Sequence, residues 1–261
     1  MYYSQFGEDR LLGKLFQGRR QGVCVEVGAN NGVDGSTTLH FEEIGWDCIL
    51  VEPNPALCRE VREKRKAQLF ECAASDVSGT AILHVALGAE KSHAVSALGD
   101  ERKSAQILRQ HGFRTEPVEV IVRRLDDILD EARPPADIDF VSIDVEGHEL
   151  ELLKGFSLDR WRPKILIVED NSPMWESEVR DYLKVQGYVR FRRTGVNDWY
   201  AHLSNPLLTS FTRRAAYYPS MLSGRMLMSL LKAVTPITPA LRRIPGAFLI
   251  RDVLLGRRRG A

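Results

Sequence analysis

Short apolar runs that end in a glycine or an acid alternate with amphipathic stretches of helical spacing along most of this chain. Residues 23–27, 48–52, 69–74, 138–145 and 165–168 read as strands. Residues 36–44, 55–66 and 175–185 read as helices, and another starts over 148–153. Such alternation predicts an α/β fold with a mostly parallel sheet covered by helices on both faces. Residues 80–87 alternate well enough to form an extra strand, 118–122 make a further short β-like run, and 125–129 a helical turn. Residues 88–112 are polar with few apolar anchors, which predicts an insertion carrying a short helix near 105–110. Residues 188–193 and 199–203 flank Gly195-Val196-Asn197-Asp198 and predict a closing antiparallel hairpin.

The pattern changes after residue 204. Between residues 220 and 236 Met221, Leu222, Met226, Leu227, Leu230, Leu231 and Val234 recur at helical spacing, with Arg225 and Lys232 among them. The 261-residue chain carries a net charge of only +1, but residues 205–261 hold ten Lys or Arg against the single acid Asp252, and residues 1–204 are correspondingly acidic. The division expected is a body over 1–204 and a basic, amphipathic helical tail over 205–261. That tail either packs on the body or on the partner of a homodimer, or docks on anionic lipid with arginines at headgroup level. It lacks the interleaved aromatics that stack on bases, which disfavours nucleic acid.

An apolar content of 44% and a charged content of 27% fit a globular domain. Cys24, Cys48, Cys58 and Cys72 have no C-x-x-C spacing and are expected as buried free thiols in a reducing compartment. The first residues lack a basic stretch and an apolar core, and no apolar run reaches the roughly 18 residues that cross a bilayer. The expected location is therefore cytoplasmic, extending to the inner face of the membrane if the tail binds lipid.

Chemistry concentrates where apolar runs end. Val25-Glu26-Val27-Gly28-Ala29-Asn30-Asn31-Gly32 reads as a strand running into a glycine loop, and about twenty residues on a second strand ends in Glu52. Glycines let backbone approach a ligand, and a carboxylate at the second tip can hold both hydroxyls of a ribose. The loop lacks the G-x-G-x-x-G spacing that seats a pyrophosphate, so S-adenosylmethionine fits better than a dinucleotide. Acids or amides also stand at Ser75-Asp76, at Asp144-Val145-Glu146-Gly147-His148 and at Glu169-Asp170-Asn171, all predicted at the carboxyl ends of strands where open sheets bind ligands.

The stretches SQFGEDRLL, VEVGANNG, LVEPNP, AASDVSG, LDDIL and IDFVSIDVEGHELELLKGF resemble those of the FkbM-type S-adenosylmethionine-dependent methyltransferases. The resemblance runs from about residue 4 to 201, and its most specific piece is Asp144-Val145-Glu146-Gly147-His148-Glu149. It implies a Rossmann-like seven-stranded methyltransferase sheet and O-methylation of a hydroxyl on a saccharide, a glycolipid or a secondary metabolite. It also implies that Glu26, Gly28, Ala29, Asn30 and Gly32 surround the methionine part of the cofactor. Glu52 would take the ribose hydroxyls, with Ser75 and Asp76 at the adenine. Glu26 departs from the aspartate frequent in the family but keeps the carboxylate. Residues 4–9 either fold over the site as a lid or cap a helix over 10–16.

Methyl transfer to a hydroxyl needs its proton removed or polarised. His148 is a natural base, since an ordinary imidazole titrates near pH ~6.5, and Asp144 and Glu146 complete the catalytic set. Alternatively Asp144, Asp170 and Asn171, on neighbouring tips, resemble the magnesium ligands of catechol-type O-methyltransferases, and oxygen ligands suit Mg²⁺. Acceptor specificity is expected from residues 88–112 and from the hairpin around Trp199 and Tyr200. Two rival readings are a non-catalytic binding or membrane-adapter protein that keeps the fold, and a nucleotide-linked oxidoreductase, which the loop spacing disfavours.

Overall fold

The computed structural model describes residues 1–87, 96–98, 114–134, 137–172, 177–210 and 212. The helices predicted at 105–110 and 220–236 lie outside the described residues. Chain order is α1 (Glu8–Leu15), β1 (Val23–Val27), α2 (Leu39–Glu43), β2 (Asp47–Val51), α3 (Pro55–Lys64), β3 (Gln68–Phe70), β4 (Ala73–Ser75), β5 (Gly79–Leu87), β6 (Ser96–Leu98) and β7 (Arg114–Arg124). There follow α4 (Leu125–Ala132), β8 (Phe140–Ile143), α5 (Glu149–Lys154), α6 (Leu158–Trp161), β9 (Ile165–Glu169), α7 (Glu178–Val185), β10 (Tyr188–Thr194), β11 (Asn197–His202) and α8 (Pro206–Thr209).

A seven-stranded sheet runs in the order β10-β11-β9-β8-β1-β2-β3. Its pairs are parallel except those made by β11, which runs against both β10 and β9. The order reverses between β1 and β8, and a crevice opens at the carboxyl ends of strands at such a reversal. Every residue of β1 and β8 is buried, because helices cover both faces. On one face Val23, Val25 and Val27 meet Ile128 and Leu129 of α4, Leu152 and Leu153 of α5, and Leu183 of α7. On the other, Cys24 and Phe140 meet Leu12 of α1 and Phe41 of α2, with Leu208 of α8 against the same cluster. All four cysteines are buried free thiols, and no helix among the described residues is long and apolar enough to cross a membrane.

Three elements differ from expectation. The strand expected over 69–74 divides at Glu71-Cys72 into β3, on the edge of the main sheet, and β4, which pairs with β7. The run expected over 118–122 is an eleven-residue strand, β7, whose polar half and Pro117 lie opposite β5. A second sheet, β4-β7-β5-β6, thus stands beside the first, and its core is Ala73, Leu83, Val85, Val120 and Val122. The helix expected over 36–44 begins only at Leu39, because residues 36–38 are bound to Glu26.

The two sheets meet closely at the start of β4's exit loop. A Cβ added at Gly155, after α5, would lie 2.0 Å from the Ser75 carbonyl oxygen. Gly155→Ala is expected to lose about 1–3 kcal/mol of stability through overpacking. The check is urea denaturation beside Gly79→Ala, where an added Cβ meets nothing within 4 Å and the midpoint should shift little.

Candidate active site at the strand ends

The loop after β1 is shaped by its backbone. Gly28 and Ala29 both donate to the Val51 carbonyl at the end of β2, at 2.9 and 3.2 Å. Gly28 takes φ +86°, and a Cβ there would fall 1.8 Å from the carbonyl oxygen of Asp144. Only glycine lets the ends of β1 and β8 come this near. Asn30 and Gly32 also adopt positive φ, at +51° and +77°, which curls the loop back on itself.

Glu26 is turned inward beneath this loop. It accepts from Ser36 Oγ at 2.8 Å, Thr37 N at 2.6 Å and Thr38 Oγ1. Arg65, whose side chain is fully buried, sits 4.0 Å from Glu26. Its guanidinium donates to the Gly32 carbonyl at 2.7 Å, Ser36 Oγ at 3.2 Å, Thr38 Oγ1 at 3.0 Å and Glu42 at 2.8 Å. Both Glu26 oxygens are thus engaged by the chain's own donors, and the Glu26–Arg65 pair stiffens the loop from behind. Sequence reasoning missed Arg65, because nothing local says that the residue after α3 reaches under β1.

Glu52 has the opposite setting. It follows β2, is 5% exposed, and accepts only backbone N–H groups, Asn30 N at 2.8 Å and Asn54 N at 2.9 Å. Burial pushes its carboxyl up from the ordinary 4.5 to about 7, against the pull of those two bonds. Each oxygen keeps lone-pair capacity beyond its backbone donor, so Glu52 can accept from two adjacent hydroxyls. Asn54 caps α3 by accepting from Ala56 N at 2.9 Å.

Ser75, Asp76 and His148 come together. Ser75 Oγ donates to Asp76 Oδ1 at 3.1 Å and lies 2.9 Å from His148 Nε2. Burial lowers the His148 pKa, opposed by the charges of Glu151 and Asp76. With Ser75 Oγ donating to Asp76, the ring nitrogen Nε2 is left to donate to the hydroxyl.

The remaining acids gather around Asp144. Asp144 and Glu146 are exposed yet crowded by neighbouring protein. That crowding pushes Asp144 well above the carboxylate range, followed by the charges of Glu169 and Glu146 and a hydrogen bond to Glu169. Glu146 is pushed up to about 8 by burial, then by Glu169 and Glu149. Glu149 is pushed up to about 7 by burial and turns back to accept from Gly147 N at 2.9 Å. Water reaches Asp144 and Glu146, so screening softens their shifts. Glu146 and Gly147 take φ +53° and +98° in succession, a local strain for Glu146. Glu169, expected among the acids at the strand ends but given no role there, belongs to this group; β9 runs one residue past the expected strand, to Glu169 itself.

Asp170 does not join them. It accepts from Ser172 N at 2.9 Å, from Ser172 Oγ, and from Ser177 Oγ at 2.6 Å, where Ser177 caps α7. Asn171 is exposed beside it. Among the described residues no group of three or more His, Cys, Asp and Glu side chains is set to hold a metal ion. The expectation of Mg²⁺ on Asp144, Asp170 and Asn171 is corrected accordingly: Asp170 spends its carboxylate on the loop that leads to α7.

Residues 26–190 match the family model of the methyltransferase FkbM domain. The chain belongs to the FkbM methyltransferase family. No curated protein sequence matches it. Among solved structures it is similar to the methyltransferase FkbM of Methylobacillus flagellatus, at 14% identity and a TM-score of 0.43, over 70% of this chain and 44% of that one. The chain thus spans less than half the length of that relative. It is similar to the precorrin-6y C5,15-methyltransferase of Geobacter metallireducens at 13% identity and a TM-score of 0.38, over 74% and 84% of the two chains. A third similar structure is TrmK of M. capricolum in complex with S-adenosyl-homocysteine, at 10% identity and a TM-score of 0.38, over 95% and 92%.

The FkbM match begins at Glu26, so the segment before α1 lies outside it, although it reaches the strand ends. Ser4 bridges to Gly35 in the loop after β1. Buried Asp9 accepts from Tyr3 N, from Ser4 N at 3.2 Å and from Ser4 Oγ at 2.7 Å. Buried Glu8 accepts from Thr194 Oγ1 at 2.6 Å and Asn197 Nδ2 at 3.0 Å in the β10–β11 turn. Phe6 lies against Gly195, where a Cβ would meet its ring at 2.5 Å. Since Asn197 is in register with Glu169, residues 4–9 form a strap from the β1 loop to the end of β9, and also start α1. The two readings of this segment are not exclusive.

Glu52 gives this FkbM domain a testable pH signature. The folded chain holds the Glu52 proton more tightly than the unfolded chain does, so this contribution to stability is full below about pH 4.5 and is lost as pH rises through about 7. Denaturation at pH 5 and pH 8 should show wild type losing stability over this interval. In Glu52→Gln the loss should be smaller by roughly 2–3 kcal/mol; an unchanged slope would contradict the assigned environment.

Proposed function

We propose that this FkbM-family chain is an S-adenosylmethionine-dependent O-methyltransferase acting on a hydroxyl of a saccharide, glycolipid or secondary metabolite. The observation that carries this reading is Glu52, a buried carboxylate at the strand-order reversal, fixed by two backbone N–H groups and left with capacity for two hydroxyls. The loop over Gly28–Gly32 offers close backbone approach beside it, without phosphate-binding spacing, so the residues fit S-adenosylmethionine. Gly28, Ala29, Asn30 and Gly32 then line the methionine part, with Glu26 holding the loop in shape. Ser75 and Asp76 face the adenine, with His148 fixing the Ser75 hydroxyl.

When bound, the cofactor supplies an electrophilic methyl group on a sulfonium. The chain's part is alignment of the acceptor oxygen and removal of its proton. The acids Asp144, Glu146 and Glu169 crowd together, and a cationic ligand beside them would favour their charged forms and be held by them. A hydroxyl is a weak acid, so a base of raised proton affinity suits it, and Glu146 has one. We assign Glu146 as the group that accepts the proton, with Glu169 and Glu149 sustaining its affinity, and His148 as its neighbour on the adenine side. No step uses a metal, because Asp170 is committed to Ser172 and Ser177.

The basic tail supports a further part of this proposal. Its arginines and leucines suit an anionic lipid surface, which brings a cytoplasmic enzyme to the inner face of the membrane and to lipid-linked saccharides. A homodimer through the same tail is the competing arrangement.

The decisive assay incubates the full chain with methyl-labelled S-adenosylmethionine and extract of its own cells, then separates lipid, polysaccharide, small-molecule and protein fractions. Base-stable label in the lipid or polysaccharide fraction is expected; label confined to protein would sink the proposal, and label only in small molecules would shift it to secondary metabolism. Chelation should leave the rate unchanged. The rate should rise with pH above the ordinary carboxylate range as Glu146 ionises, and Glu146→Gln should fall by about 10²-fold or more and lose that limb. A full-rate Glu146→Gln enzyme would remove the assignment.

A further inference from the structure

Cys24 in β1 and Cys48 in β2 stand directly opposite each other in the parallel register, and their Sγ atoms are 3.1 Å apart. Both belong to one apolar cluster with Phe41, Trp46 and Phe140, and both are buried, at 0% and 6% exposure. Neighbouring strands lie about 4.8 Å apart, which is inside the Cα separation that a disulfide spans. Cys48 Sγ also lies 3.8 Å from the Thr38 carbonyl and 3.7 Å from the Trp46 carbonyl, so its proton has acceptors other than Cys24. Cys58 is used differently, donating to the Glu52 carbonyl at 3.1 Å.

We propose that Cys24 and Cys48 are a reversible disulfide site that ties β1 to β2. Closing the pair brings the sulfurs from 3.1 Å to the roughly 2.05 Å of an S–S bond. The oxidant is a small-molecule disulfide, oxidised glutathione or its like. One cysteine thiolate attacks it, forms a mixed disulfide and expels one glutathione thiolate. The second cysteine thiolate then attacks the protein sulfur of the mixed disulfide and expels the other. The two thiol protons end on the two glutathione thiols, so the protein pair is oxidised and the glutathione disulfide reduced. Burial sets when this happens. It pushes the Cys24 thiol well above its ordinary range, and a sealed, protonated sulfur is no nucleophile toward a reagent in water. Exchange therefore takes place while the chain is open, and folding then selects this pair and shields the bond from reductants. The tie joins the two strands whose ends carry Gly28 and Glu52, and it uses no residue of the site itself.

The test holds the full chain in oxidised and reduced glutathione at a urea concentration just below its unfolding midpoint, then removes the urea. Remaining thiols are alkylated under denaturing conditions and the peptides mapped by mass spectrometry. A linked Cys24–Cys48 peptide pair should be the main disulfide, with Cys58 and Cys72 alkylated. Before alkylation the oxidised chain should be about 2 Da lighter than the reduced one, and it should unfold at a higher urea midpoint. Under native conditions its bond should survive dithiothreitol far longer than it does in urea. Cys24→Ser and Cys48→Ser should each show every remaining thiol alkylated and no midpoint shift on oxidation. Full alkylation of all four wild-type cysteines, a dominant link to Cys58 or Cys72, or glutathione left on Cys24 or Cys48 would overturn the proposal.

Discussion

The site depends on an atom that is missing from one residue. Because Gly28 has no Cβ, the Asp144 carbonyl can occupy the space where one would be, 1.8 Å from its ideal position. That contact sets the distance between the ends of β1 and β8, the two strands on either side of the order reversal. From there the loop is carried by bonds to the Val51 carbonyl, which bring Asn30 N within 2.8 Å of Glu52. A side chain at position 28 would push the strands apart and separate the glycine loop from the acids around Asp144. Two halves of one cleft would then no longer face each other.

Charge in this region is arranged by neighbours. Glu26 and Glu52 end adjacent strands and are equally buried, at 5% exposure, yet their partners differ. Glu26 has hydroxyls, an N–H and a buried arginine close by, and acts as a structural tie. Glu52 has two N–H groups and no cation, so burial dominates and its proton affinity rises. Crowding raises the proton affinity of Asp144 and Glu146, and the nearby charges of Glu169 and Glu146 add to it at Asp144, those of Glu169 and Glu149 at Glu146. A cationic ligand would relieve that repulsion.

The main sheet was largely legible in the sequence. Strands buried on both faces must be largely apolar, and β1, β2, β8 and β9 each carry a single polar residue in an otherwise apolar run. The closing hairpin was marked by its turn residues. The break between β3 and β4 was not legible, because Leu69 to Ala74 keeps an almost unbroken apolar run while the chain changes sheets. Nor was the polar half of β7, whose strand state comes from pairing with β5. At the site, the strand ends were readable as positions, but the use of each carboxylate was not. Glu26 and Asp170 looked open to ligands and are satisfied by residues 36–38 and by Ser172 and Ser177. Those partners are fixed by loop paths that no local pattern encodes, and the same holds for Arg65 beneath the loop.

The most direct test of the account is a crystal structure of the full chain with S-adenosylhomocysteine bound. The account predicts the ribose hydroxyls within hydrogen-bonding distance of the Glu52 carboxylate, the homocysteine part along Gly28–Gly32, and the sulfur facing Asp144 and Glu146. A ligand seated away from Glu52, or with its ribose turned to solvent, would contradict it.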